Sequence, residues 1–590
     1  MRITKLSLTN FRSFKETQTI EFAPVTLLFG PNSVGKSSVL MSIFYLHQIL
    51  EQGNCNPVRL SALNNKYVGG FENLVHGRKL DNPMIIKIAF DKQGKVGSSY
   101  GFLSDLIEGA ELCISSPSVA AETMALEFEL AWSSVHKTAY VSRYTVFFDD
   151  IFIAEVTSDA GLKQPVISSI NYLHPLLMPE NHEEWLLSSF EDGASIHWAL
   201  YDKLFDYLDL PNPTHREISK GASLPFEDYE APPEFSYEPY VSELHEQLNE
   251  GRFQASEIDD AANYGLIGGN KVMHVPIGVD SISGALLRKG SKLKTSLSLD
   301  DMKLSELLTE LLSDLLIAPL DNLCRILDDS LCIGPLRVIP DEMHQINTDV
   351  NQADWYNGRA AWDLLAQNDF KVLSAVNSWL ISESKLNLGV EFTLQAQITY
   401  SVRETITSGS SFQEVHQRLV NEGVKPSEGR FANFDKVDWS WSNSLWDPKN
   451  KMTISPSELG VGVSQIMPVV VAALSRSQGL VAVEQPELHI HPRVQVGIGD
   501  LFTQIKNGPN FLVETHSEHL ILRLLRRVRQ TSNNELPDGL NPVLNTDICI
   551  LYLDPSIDGV QVKKIEVDED GEFLVKWPKG FFAERREELM

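Results

Sequence analysis

The segment Val25–Ser38, VTLLFGPNSVGKSS, constrains the fold of this chain more than any other stretch. Val25 to Phe29 are apolar or β-prone and read as a short buried strand. Gly30, Pro31, Asn32, Ser33, Val34, Gly35, Lys36 and Ser37 then spell G-x-x-x-x-G-K-S, followed by Ser38. Val39, Leu40, Ile43, Phe44, Leu46, Ile49 and Leu50 continue with the spacing of a helix. Strand, glycine loop and helix in that order form a cradle for nucleotide phosphates. The glycines let backbone N–H groups curl around phosphate oxygens, and the helix start adds partial positive charge. In this reading Lys36 reaches the β- and γ-phosphates and the Ser37 hydroxyl holds Mg²⁺. A glycine turn that only packs is the bland alternative, and the flanking strand and helix weigh against it.

At 590 residues the chain is too long for one core, and its length suggests about four domains. A formal charge of −29 argues against a surface that coats nucleic acid and leaves room only for local basic patches. Cys55, Cys113, Cys324, Cys332 and Cys549 are scattered with no C-x-x-C pair, which suits a reducing cytoplasm and neither a disulfide framework nor a zinc knuckle. MRITKLSLTNF alternates like a strand, without the apolar block of a signal peptide, and no apolar run approaches membrane-spanning length. A cytoplasmic protein with no membrane partner is therefore expected.

Residues 3–8 and 18–22 alternate as strands, and with Val25–Phe29 they suggest a small β-lobe leading into the loop. Residues 68–78 carry paired glycines and read as a returning loop. From 81 to 175 the chain reads as strands, and 211–240 is a proline-rich, acidic linker. Leucines from Leu304 to Leu316 predict a helix that stops at Pro319, packed on its own domain or pairing with a second copy. No sustained heptad array and no internal repeat is present. The expected divisions are 1–80, 81–330, 331–450, 451–550 and 551–590.

A second cluster of motifs lies far downstream. ELGVGVSQIMPVVVAAL (458–474) is a glycine-rich turn entering an apolar helix. GLVAVEQPELHIHP (479–492) is a buried strand ending in Glu484, where a carboxylate could hold Mg²⁺ through water. FLVETHSEHLILRLL (511–525) is a strand, then Thr515-His516-Ser517, then a helix. In this order the three segments resemble the signature motif, Walker B strand and switch histidine of a split ABC-type ATPase head. The closer resemblance is to prokaryotic AAA ATPases related to the SMC and OLD families, carried by ITKLSLTNFRSF, IGPLRVIP, the E-x-P-E-L-H-x-H-P run and the tail WPKGFFAERREELM. That tail is similar to a C-terminal domain of unknown function. The resemblance covers roughly 1–80 and 330–590. It implies an α/β fold: an ABC-type P-loop head split in sequence by a large mixed β and helical insertion.

The resemblance further implies ATP and Mg²⁺ as cofactors and a head-to-head dimer with two ATPs between the subunits. The loop Gly30–Ser37 of one subunit would face the glycine turn near Gly460–Ser464 of the other, with Ser464 on the γ-phosphate in trans. Gln485 stands where such enzymes usually hold the glutamate that orients attacking water. An amide can position water but cannot take its proton, so a slow ATPase is one reading. Ordinary hydrolysis supported by Glu487 is the other. His516 is the γ-phosphate sensor or else a capping or core residue. No glutamine lies in 68–78, and Gln48 and Gln52 sit on the preceding helix, so a Mg²⁺-contacting glutamine is unassigned. His489 and His491 form an H-x-H pair without a further ligand at zinc spacing, and the family pattern puts them in the loop after the Walker B strand.

Arg523, Arg526, Arg527 and Arg529 crowd one helix, as a solvated basic face or as a contact for nucleic acid or an acidic partner. Asp568 and Asp570 read as an acidic turn. With no nuclease motif of its own, the chain is similar to ATPase subunits of Septu-type and retron-associated antiphage systems. These work with a separate nuclease or toxin and, in retrons, a reverse transcriptase with its RNA. A DNA-repair or chromosome-handling ATPase of SMC type and a scaffold that binds ATP without hydrolysing it remain alternatives.

Overall fold

The computed structural model describes residues 1–100, 116–171, 174, 176, 277–296, 302–340, 347–367, 370–402, 434–505, 508–557, 559–575 and 577–578. The proline-rich stretch 211–240 and all but the start of the tail 577–590 lie outside the described residues.

Two sheets organise the chain. The six-stranded sheet runs in the order Leu331–Ile333, Leu480–Glu484, Asn510–Glu514, Val25–Phe29, Ile548–Ser556, Gly559–Lys564. Its first five strands are parallel and the last is antiparallel. Val25–Phe29, Leu480–Glu484 and Asn510–Glu514 are buried at every position. Each has a packed layer on both faces, which is why their sequences are continuous apolar runs. Leu28, Ala482 and Leu512 join the core that contains the helix Lys36–Gln52. Leu27, Val483 and Val513 join the opposite core, with the helices Val461–Ser475 and Glu518–Ser532.

The second sheet has eight antiparallel strands, with Arg2–Thr9 and Gln18–Glu21 at one end. Arg2–Thr9 pairs with Met84–Asp91, Leu6 opposite Ile88. The boundary expected at residue 80 therefore runs through a single sheet, and the strands read as part of an insertion complete the N-terminal one. The expected three-stranded β-lobe is likewise corrected. Val25–Phe29 leaves its two neighbours for the other sheet, because an all-buried strand needs cover on both faces while alternating strands need it on one. Leu331–Ile333 and Ile548–Ser556 both belong to the six-stranded sheet, so the divisions at 331 and 551 also fall at or within it.

The leucine-rich helix forms at Met302–Leu316, with Leu311, Leu312, Leu315 and Leu316 buried in the chain's own core. Pro319 sits in the first turn of the next helix, Ala318–Asp328, where its missing N–H costs nothing. The turn at Asp568 forms as read, its carboxylate accepting from the Asp570 and Glu572 amides.

Candidate functional site

The phosphate loop leaves the end of Val25–Phe29 and closes at the start of the helix Lys36–Gln52. Gly30 has φ +144°, and a Cβ there would lie 2.6 Å from the Leu553 carbonyl oxygen; Gly35 has φ +122°. Both positions thus require glycine. Among the described residues, the amides of Ser33 to Lys36 donate to no backbone carbonyl. Lys36 folds across the loop, its Nζ donating to the carbonyls of Gly30 at 2.9 Å and Pro31 at 3.0 Å. Burial lowers its pKa, opposed by Glu514 and Glu487.

The Ser37 hydroxyl donates to Glu514 Oε2 at 2.8 Å, and Lys36 Nζ lies 3.9 Å from Glu514 Oε1. Arg12, Ser13, Lys36, Ser37 and Glu514 face a cavity of about 220 Å³. Arg12, Ser13 and Glu514 are the lining residues that sequence reasoning missed. The signal for Glu514 was present, since it ends its buried strand as Glu484 ends the neighbouring one. A larger hollow of about 430 Å³ lies between 162–165 and 279–295, lined by surface side chains such as Lys163, Asp280 and Lys294. It contains no phosphate loop, so the smaller cavity is the candidate site.

Glu484 and Glu514 sit opposite each other in register on adjoining parallel strands. Glu484 turns toward Tyr356, whose hydroxyl donates to Oε1 at 3.4 Å. Burial, helped by Glu514, pushes the Glu484 carboxyl up to about 7 against the pull of Lys66, the Tyr356 hydrogen bond and Arg337. Arg337, from the P-L-R block, is buried beneath. It donates to the carbonyls of Glu484 and Gln465, both at 2.9 Å, while the Gln465 side chain accepts from the Arg337 backbone N–H and donates to the Arg337 carbonyl. The P-L-R block thereby rivets the tip of the Glu484 strand to the helix that follows the glycine turn.

Gln485 holds φ +45°, and its amide donates to the Glu514 carbonyl at 2.7 Å. Both oxygens of Glu487 are occupied, accepting from Thr515 Oγ1 at 2.8 Å and from the His516 amide at 2.6 Å. The His516 ring leaves Nε2 buried without a hydrogen-bond partner. Burial and then Lys36 lower its pKa, which favours the neutral ring. His491 caps the helix Pro492–Thr503 through Nδ1, and His489 is exposed with φ +63°. Gln48 is spent on Ser61 and the Arg59 carbonyl.

Two expectations need correction. Ser464 is fully buried and its hydroxyl donates to the Pro456 carbonyl of its own chain at 3.1 Å, so it does not face outward. It falls on the inner side of its helix, one turn in, whereas Gly460 and Val461 at the helix start are exposed. The basic face is also largely consumed within the chain. Arg527 is buried and forked onto Asp500 at 2.7 and 2.9 Å, Arg523 lies 3.7 Å from the same carboxylate, and Arg529 pairs with Glu572. Arg526 stays exposed.

A family profile described as an AAA ATPase domain matches residues 1–157 and 372–521, just over half of the chain. The chain belongs to this AAA ATPase family. The two matched stretches show that the ATPase domain is split in sequence by an insertion. Over 45 residues, 8% of its length, this AAA ATPase is 47% identical to the DNA replication and repair protein RecF of Desulforamulus reducens, and the match spans 12% of that protein. Among solved structures, it is similar to the Smc head domain with an extended coiled coil bound to the C-terminal domain of ScpA from Pyrococcus furiosus, at 8% identity and a TM-score of 0.34, covering 96% of each chain. The SMC head domain from Thermotoga maritima gives 9% identity and 0.32, covering 96% of this chain and all of that one. No described helix is long and apolar enough to cross a membrane.

Proposed function

We propose that this ATPase is a nucleotide-operated switch that binds Mg²⁺-ATP in the Lys36 loop, closes on a second copy of itself, and hydrolyses slowly. One observation carries the reading: the loop with Lys36 and Ser37 meets two acid-tipped strands, ending at Glu484 and Glu514, at the carboxyl ends of a parallel sheet. Those ends are where open α/β sheets take their ligands.

The donor set fits the nucleotide. Amides of Ser33–Lys36 without backbone acceptors suit phosphate oxygens, and Lys36 can exchange two carbonyls for a phosphate. Ser37 directly, and Glu484 through water, would hold Mg²⁺, which supplies charge neutralisation at the phosphates. His516 offers a buried, partnerless nitrogen for the γ-phosphate, and Gln485 would orient water without removing its proton. Glu487 is already held by Thr515 and His516, which supports an anchoring role and the slow reading of hydrolysis.

For the cellular role, DNA handling of SMC or RecF type is better supported than the antiphage assignment, through the RecF match. The antiphage role, with a separate nuclease or a reverse transcriptase and its RNA, rests on the sequence resemblance alone. The deciding experiment is an ATPase assay with and without duplex DNA on wild type, Lys36→Ala and Gln485→Glu. Lys36→Ala abolishes turnover, Gln485→Glu raises it by on the order of 10- to 100-fold, and DNA stimulates the wild type. Unchanged turnover in Gln485→Glu removes the slow-switch reading, and indifference to DNA removes the DNA role.

A further inference from the structure

We propose that Glu514 is a direct ligand of the nucleotide-bound divalent cation, sharing it with Ser37, while Glu484 stands one position further out. This rests on the Mg²⁺-ATP reading above and adds a ligand from the strand that leads into Thr515-His516.

The geometry carries the assignment. Glu514 Oε2 lies 2.8 Å from Ser37 Oγ, the hydroxyl that a cation in this loop would use. Mg²⁺ demands octahedral oxygen ligands at about 2.0–2.1 Å, so two neighbouring ligands on one ion are about 2.9 Å apart. The hydroxyl and the carboxylate are thus already spaced as adjacent corners of that octahedron. Glu514 lines the phosphate cavity and Glu484 does not. The Glu484 carboxylate instead accepts a hydrogen bond from Tyr356, which does not line the cavity either. The Glu514 side chain is 9% exposed, and the only cation paired with it among the described residues is Lys36, which a triphosphate would draw away. Without a dication, ATP would then bring its negative charge against a nearly buried carboxylate. With one, that carboxylate completes the site.

This charge logic separates a ligand from a structural anchor. A ligand repels ATP when no metal is present and attracts it when metal is; an anchor acts the same way in both conditions. The test is titration of the full-length chain with a fluorescent ATP analogue in EDTA and in Mg²⁺. Glu514→Gln should bind the analogue about 3-fold or more tighter than wild type in EDTA, because a like charge is gone. In Mg²⁺ the same variant should lose the metal's contribution to affinity by on the order of tenfold. Glu484→Gln should keep most of that contribution. Glu514→Asp, which retains the charge on a shorter arm, should keep EDTA binding weak while recovering part of the Mg²⁺ gain. A Glu514→Gln protein that keeps the wild-type Mg²⁺ gain, or changes affinity equally in both buffers, overturns the assignment. A wild-type chain that binds the analogue in neither buffer overturns the nucleotide reading itself.

Discussion

Glu484 is buried among Tyr356, Arg337 and the second carboxylate at the strand tips, and its pKa rises from 4.5 to about 7. The folded chain therefore holds this proton more tightly than the unfolded chain does between those two values. Stability falls as pH rises through that window, by on the order of 3 kcal/mol from this one group. Without nucleotide or metal, the melting temperature of wild type should decline between about pH 5 and 7.5 relative to Glu484→Gln, which cannot titrate. Parallel curves for the two proteins would show that the proton is not on Glu484. At this scale the sequence was informative where a residue's type and spacing define its job, as for Gly30, Lys36 and Ser37. It was silent where the job depends on register across strands. Nothing local in VETHS says that Glu514 reaches Ser37; that follows only once Asn510–Glu514 is known to lie between the other two strands. Ser464 failed for a related reason, since one step of helical phase decides whether a hydroxyl faces a partner or its own chain.

At the scale of elements, the loops after Glu484 and Glu514 are fastened to each other at several points. Glu487 bonds Thr515 and His516, Ser517 bonds Gln495, and Gln495 returns to the Ile490 carbonyl. Behind this latch the helices Pro492–Thr503 and Glu518–Ser532 are joined by the buried fork from Arg527 to Asp500. The arginines that resemble a nucleic-acid patch in sequence are thus partly a helix clamp, because buried Asp500 must find its counter-charge inside. Arg527→Ala should destabilise the protein by roughly 3 kcal/mol by leaving that carboxylate without its bidentate partner. Arg526→Ala, at an exposed position, should shift stability by less than about 0.5 kcal/mol. Denaturant unfolding of the two variants checks the contrast, and equal midpoints would mean the clamp bears no weight. The strands themselves were legible from their apolar runs, and the helices from their period. Their partners were not, because the alternating pattern of Arg2–Thr9 says which face is buried but not that Met84–Asp91 lies alongside.

Across the whole molecule, the proposed switch would have to convert nucleotide binding into movement of something larger than a loop. The P-L-R block is placed for that. Arg337 is buried between the Glu484 strand tip and the helix Val461–Ser475, yet its neighbours Leu336 and Val338 are 72% and 47% exposed. Val461, at the start of the same helix, is 51% exposed. These apolar side chains are exposed on two segments that one buried arginine ties together. Val461 lies in the glycine turn that the ATP-sandwich arrangement would press against a second copy, and the P-L-R block is tied to the helix that follows it. In a chain of charge −29, two copies repel at long range, so closure of the proposed dimer would need short-range apolar contact together with cation and ATP contacts made only in the closed state. Leu336→Asp should then leave ATP affinity of the monomer unchanged while abolishing ATP-dependent dimerisation, as read by sedimentation with and without Mg²⁺-ATP. Dimerisation of Leu336→Asp at the wild-type concentration would move the interface elsewhere. A wild-type chain that stays monomeric with Mg²⁺-ATP bound would confine the switch to one head, and the riveting of Glu484 to the glycine-turn helix would then serve rigidity alone.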